Sequence, residues 1–349
     1  MNFSATPPES LCLLRLSAIG DITHTLPVLR TVQKRWPGTS ITWVIGKTER
    51  ELVHGIDDVE FIVFDKAHSL SSMLQIRRRL SFRRFDLLFH MQPSLRGNLV
   101  SACIRSEHKL GFDEARSHDM HGMFVDERVL ADTPREHVLE GLLRFPRHYG
   151  LDPVLEWKLP VSVQAVANMQ SRLGTDHGYV VINPCAVAKN RNWRNWTIDG
   201  YVSVARHILD RHGLRVVLSG GRAPIEQTFA AAIEGQCNDI INLIGETSIA
   251  ELVALLSQAR LVIAPDTGPA HIASALDTPV IGLYAATNPQ RAGPYNFMDS
   301  VVSKYPEALR KWHHVSVDDA PWGQRIRNDE AMQMIDAADV IRMVDRALA

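Results

Sequence analysis

Cysteine is scarce: Cys12, Cys103, Cys185 and Cys237 are scattered over 349 residues, with no CxxC pair and no zinc-type spacing. A disulfide scaffold is excluded, and the four read as reduced, mostly packed thiols of a cytosolic chain. An excess of charge of one sign is also lacking, since 38 Lys and Arg face 39 Asp and Glu for a formal net charge of -1. That balance argues against a global attraction to nucleic acid, and no nucleic-acid partner is expected. No apolar run reaches the length of a membrane span, and MNFSATPPES has neither the basic start nor the apolar stretch of a signal peptide. A cytoplasmic protein is expected, touching membrane only at its surface.

Missing catalytic signatures narrow the chemistry further. GKTE at 46–49 imitates the end of a P-loop, but the glycine required five positions earlier is Ile41. No GxGxxG follows an apolar strand, and no HExxH, GxSxG or kinase set occurs. The DxD pair that holds a divalent ion on the diphosphate in many sugar-nucleotide enzymes is absent too. A bound diphosphate would need its charge met without a metal, and no metal ligand set is assigned.

With 45% hydrophobic and 22% charged residues, the chain has enough apolar material for two cores. Residues 11–16 are apolar except for Arg15, and they are followed by a turn around Gly20 that presents Asp21. Ile22, Leu26, Leu29, Val32 and Trp36 then repeat at helical spacing. Further strands are predicted at ITWVI, VEFIVF and DLLFHM, and a linker between about 150 and 176. The second half alternates again, with strands at YVVIN, RVVLS, IINLI, LVIAP and PVIGLY and helices near 198–212, 224–235, 248–258 and 269–276. This βα alternation predicts an α/β fold of two Rossmann-like, doubly wound parallel-sheet domains facing a central cleft. Their boundary is set at 165/166. A last helix over 329–347 belongs to the second domain or packs back on the first.

LVIAPDTGPAHIASAL at 261–276 is the most informative stretch. The strand runs out at Pro265, Asp266 and Thr267 occupy the turn, Gly268 permits close approach, Pro269 suits the first helical position, and His271 follows in the same turn. Such a helix start offers unpaired amides and the positive end of a dipole to an anion, although Asp266 and Thr267 could equally serve as caps. NPCAVAKNRNWRNWTIDGY at 183–201 follows the first strand of this half and carries Lys189, Arg191 and Arg194, which suits a phosphate clamp; a solvated basic loop is the alternative. In the first half, Gln92 and Arg96 follow a strand and face the cleft if it is parallel to the first. IRRRLSFRR at 76–84 could meet acidic sugars, lipid phosphates or an anionic leaflet, or be a solvated face.

SAIGDITHTLP, the basic Trp-containing loop, GGRAPIEQ at 220–227 and APDTGPAHIASALDTPVIGLYAATNPQRAGP at 264–294 together resemble glycosyltransferase family 9, the ADP-heptose:lipopolysaccharide heptosyltransferases. The resemblance implies a GT-B fold and an inverting, metal-independent transfer of heptose from ADP-L-glycero-D-manno-heptose to the Kdo or heptose inner core of lipopolysaccharide, at the cytoplasmic face of the inner membrane. It makes Asp21 the general base, puts Glu226 on the nucleoside ribose, assigns Asp266, Thr267, Gly268 and His271 to the donor, and adds Arg116 on the acceptor side. Where the family commonly has a lysine two residues before the loop tryptophan, this chain has Arg194 before Trp196; arginine neutralises phosphate but gives up no proton, and Lys189 is the other candidate. The chemistry agrees: an inverting displacement needs one base and a stabilised diphosphate, whereas a glycosidase would want two carboxyl groups. Two rival readings are a nucleotide-sugar epimerase or hydrolase on the same fold, and a non-catalytic sugar-nucleotide or lipopolysaccharide binder.

Overall fold

The apolar runs of the sequence become parallel strands buried on both faces by helices, as doubly wound sheets require. A computed structural model describes residues 3, 6–130, 135–174, 178–186 and 192–349. The chain divides into two units, Met1–Pro160 and Val161–Ala349. The division falls ahead of the expected 165/166, because the helix over Val163–Leu173 packs on a helix of the second unit.

In the first unit the elements run β1 (Ser10–Leu14), α1 (Ile19–Arg35), β2 (Ser40–Gly46), α2 (Lys47–Leu52), β3 (Val59–Phe64), α3 (Ser69–Arg79), β4 (Phe85–His90), α4 (Leu95–Ala102), β5 (Ser106–Gly111), β6 (Glu127–Arg128) and α5 (Val138–His148). The strands lie in the order β3-β2-β1-β4-β5-β6, every pair parallel, with Leu14 level with Val44 and His90. The second unit runs α6 (Val163–Leu173), β7 (Tyr179–Ile182), α7 (Ile198–His207), β8 (Arg215–Leu218), α8 (Pro224–Glu234), β9 (Ile240–Asn242), α9 (Ile249–Ser257), β10 (Leu261–Pro265), α10 (Gly268–Ala275), β11 (Val280–Tyr284), α11 (Pro289–Ala292), β12 (Val301–Ser303), α12 (Tyr305–His313) and α13 (Ala337–Leu348). Its order, β12-β11-β10-β7-β8-β9, repeats the first pattern with β7 as the opening strand. Each sheet therefore reverses direction between its first and fourth strands, β1/β4 and β7/β10, which is where such folds bind ligands.

Three strands escape the apolar pattern because they are half-exposed or very short: β5 (SEHKLG), β6 and β12. Gly20 and Asp21 also differ from expectation. They lie in the first turn of α1, and the chain leaves β1 over Arg15–Ala18. The helix starts early because Ala18 is extended and its N–H donates to the Asp21 carboxylate (2.9 Å), satisfying one orphan donor. The run at 329–347 likewise starts late: a 3-10 turn covers Met332–Met334, and Asp336 caps α13 by accepting from Ala338 N–H (2.9 Å). Val340 and Val344 of α13 enter the core of the second unit. Among the described residues no helix is long and apolar enough to cross a membrane.

Candidate active site

At the β7/β10 reversal three predicted residues come together. Arg194 donates to the Asp266 carbonyl (2.8 Å) and stands 3.4 Å from its carboxylate, while His271 Nε2 lies 3.7 Å from the other carboxylate oxygen. Burial alone would push the Asp266 carboxyl up. The His271 contact, the charges of Arg194 and His271, and Thr287 outweigh it and hold the group below the ordinary range. Thr267 is the N-cap of α10, yet its side chain makes no cap bond and its buried Oγ1 finds no partner among the described residues. Gly268 and Pro269 are the first and second helical residues, one place later for the proline than expected. The amides of Thr267, Gly268 and Ala270 head the helix at the positive end of its dipole. Buried hydroxyls without partners are uncommon in native folds, which makes Thr267 a candidate to meet a polar ligand.

Arg194 reaches this spot because its loop is anchored on both sides. The Asn195 side chain accepts from Ala186 N–H (2.8 Å), and Trp196 is buried edge-on against Tyr201 with its Nε1 donating to the Ile335 carbonyl (3.1 Å). Gly200 is required by this packing, since a Cβ there would stand 2.5 Å from the Trp196 ring. Lys189 and Arg191 lie outside the described residues. Glu226 sits in the first turn of α8, and its carboxylate accepts from Gly221 N–H (2.6 Å) and Ala223 N–H (3.1 Å) of the preceding turn. It thus secures the GGRAP turn with its own oxygens. Burial, and then the Glu226 charge, push the neighbouring Cys185 thiol up to about 12, which leaves it inert.

The β1/β4 reversal of the first unit carries Asp21 and Gln92. Arg15, the apparent flaw in the apolar run, is buried: it donates to the Met91 carbonyl, and its second arm forms an ion pair with Asp21 (2.8 Å). Asp21 itself keeps about a third of its side chain exposed, 32%. Sequence reading missed Arg15, although a lone arginine in a buried strand was the available signal. Gln92 Oε1 accepts from Leu16 N–H (3.1 Å) and Ser17 N–H (3.3 Å), so this amide fastens the segment that leads from β1 into the helix bearing Asp21. Gly97 allows that approach, since a Cβ would lie 2.2 Å from the Gln92 carbonyl.

The remaining acceptor candidates separate. Arg96 is exposed on α4, with no hydrogen bond or ion pair among the described residues. Arg116 is instead engaged by Asp113 and by Glu136 (2.6 Å), and Glu136 also pairs with Arg144 (2.7 Å), so its charge is matched internally. In the arginine run, Arg79 and Arg83 pair with Glu60 and Arg84 lies 3.6 Å from Glu107, while Arg77 and Arg78 stay exposed.

The family model described as glycosyltransferase family 9 (heptosyltransferase) matches residues 73–317. This chain belongs to that family. It is a heptosyltransferase, and the matched stretch takes in every donor-side residue named above. The family-9 enzyme is 35% identical over 337 residues to the lipopolysaccharide core heptosyltransferase OpsX of Haemophilus influenzae, covering 96% of this chain and 95% of that one. Its fold is similar to a family 9 glycosyl transferase from Veillonella parvula (TM-score 0.78, 19% identity, 97% of both chains). It is also similar to the E. coli heptosyltransferase WaaC solved with ADP (TM-score 0.73, 19% identity, 97% of this chain and 99% of that one). The fold class is GT-B.

Proposed function

We propose that this enzyme moves heptose from ADP-L-glycero-D-manno-heptose to the inner core of lipopolysaccharide, inverting the anomeric centre without a catalytic metal. The observation that carries the reading is the Arg194–Asp266–His271 group beneath the amides that open α10. The names of OpsX, a core heptosyltransferase, and of WaaC with ADP support the substrates. The donor diphosphate lies over the first turn of α10, with Thr267 Oγ1 and the Thr267 and Gly268 amides as donors, Arg194 supplying positive charge and His271 lying beside it. Asp266 fixes Arg194 and His271. Glu226 holds the turn that meets the ribose, and Lys189 remains the candidate for giving the departing diphosphate a proton, which an arginine cannot do.

On the acceptor side Asp21 takes the proton of the attacking hydroxyl, the new bond forms at the anomeric carbon, and the bond to ADP breaks with its electrons leaving on the diphosphate. Arg96 meets the anionic acceptor. Gln92 and Arg116 hold the loops around it. Because the acceptor is lipid-anchored, the exposed Leu70, Leu74 and Phe82 beside Arg77 and Arg78 are read as peripheral contact with the anionic cytoplasmic leaflet of the inner membrane.

Asp21→Asn should lower the transfer rate by about 10²–10⁴-fold, the usual worth of a general base, with the ADP-heptose Kd unchanged. Near-normal turnover in that variant would sink the base assignment. Initial rates should survive EDTA, and NMR of the product should show the anomeric configuration opposite to that of the donor; a retained configuration overturns the single-displacement reading.

A further inference from the structure

Away from both strand-end sites, His207, His212 and Asp345 converge in the second unit. His207 Nε2 lies 2.6 Å and His212 Nε2 2.8 Å from the same oxygen, Asp345 Oδ1, and the three ligand atoms fall within 4.8 Å of one another. The two imidazole rings meet edge to face at 5.6 Å. Spacing alone would not do this, because residues five apart on a regular α-helix point roughly 140° from each other. After α7 the chain takes a π-turn over Ile208–His212, whose wider repeat carries His212 back toward the face of His207, and Gly213 at φ 61° ends it. Such turns are rare and recur at functional positions. The third group arrives from α13, which packs on α7.

We propose that His207, His212 and Asp345 bind one divalent transition-metal ion of the zinc class, and that the ion ties α13 to α7. Two imidazole nitrogens and one carboxylate oxygen are a donor set such ions favour, with a fourth position left to water. The site opens to solvent, since the three side chains are 24%, 17% and 48% exposed, so an ion can enter without unfolding the unit. None of the three residues takes part in the proposed transfer, so the ion is structural.

The test uses chelator-stripped full-length protein titrated with Co²⁺ and then Zn²⁺. The expected result is a visible Co²⁺ ligand-field band that saturates at one equivalent, its displacement by Zn²⁺, and a Tm raised by Zn²⁺. His207→Gln and His212→Gln keep a side chain able to hydrogen-bond Asp345 but supply a poor ligand. Each should weaken Co²⁺ binding at least about tenfold and remove the Zn²⁺-dependent rise in Tm, leaving the metal-free Tm and the transfer rate unchanged. No band in the wild type, or a band and Tm rise that persist in the double variant, overturns the proposal and leaves a hydrogen-bonded staple. Should a variant not fold, zinc-edge X-ray absorption of the loaded wild type decides: two imidazole ligands support the site, and a shell without them refutes it.

Discussion

A guanidinium that donates to the Met91 carbonyl on one side and to Asp21 on the other fixes the direction of the proposed base. Arg15 touches no reacting atom in this scheme and acts as a positioning residue. Arg15→Met should leave the ADP-heptose Kd unchanged and lower kcat by about 10–100-fold, since an ångström of misplacement in a catalytic group costs that order. Arg15→Lys, which keeps the charge and one contact, should recover part of the loss. A fall in donor affinity equal to the fall in rate would show that Arg15 serves the fold and not the base.

Among the elements, β4 and α4 are tied to the segment after β5 by a network of side-chain hydrogen bonds. The Asn98 side-chain carbonyl lies 3.0 Å from His90 Nε2 and 2.9 Å from His121 Nδ1, and its amide donates to the Asp119 carbonyl (2.8 Å). Asp119 in turn accepts from Leu95 N–H at the start of α4 (2.8 Å). His121 Nε2 accepts from Phe112 N–H (3.2 Å), so this ring must be neutral to make its bonds. Burial first, then the charges of Arg128 and His118, bring His121 down to about 4, and burial with its neighbour His121 pushes His90 well below its usual value. Between pH 6.5 and 4 the unfolded chain therefore binds more protons at these rings than the folded one. Stability is fully present above pH 6.5 and falls as the pH drops through this window, by up to about 3 kcal/mol for His121. Urea unfolding at pH 7, 5.5 and 4.5 checks this; a decline no smaller in His121→Gln than in the wild type would assign it to other groups.

Across the whole molecule, exposed apolar bulk is unevenly spread. Leu70, Leu74, Phe82, Leu95, Met123 and Leu130, all in the first unit, are more than half exposed, whereas the second unit exposes few comparable side chains among its described residues, Val163 being the most open. Phe82 is fully exposed and stands close in sequence to the exposed Arg77 and Arg78. Apolar side chains interleaved with exposed cations suit an anionic bilayer surface. The protein should sediment with phosphatidylglycerol vesicles and not with phosphatidylcholine ones. At about 1 kcal/mol per basic residue near the surface, removing Arg77 and Arg78 as Arg77→Ser/Arg78→Ser should cut partitioning by roughly tenfold or more. Equal sedimentation with both lipids would show that charge plays no part.

The sequence by itself determined the strand and helix alternation, the two-unit division, and the Asp266–Thr267–Gly268 helix start, because buried parallel strands are continuous apolar runs and cap residues are local. It also carried the family, since the 264–294 stretch holds its order within one segment of chain. Short or half-exposed strands such as β5, β6 and β12 were illegible, as they lack an apolar signature. Only the tertiary structure decided what each charged group faces. Arg15 meets Asp21 because α1 folds back over the end of β1, and Gln92 turns to the Leu16 and Ser17 amides because β4 lies beside β1. Arg116 is taken up by Asp113 and Glu136, and Asp345 joins His207 and His212 from 138 and 133 residues away. Electrostatic partners depend on separations of a few ångströms, and residues far apart along the chain acquire such separations only once the sheets and helices have packed.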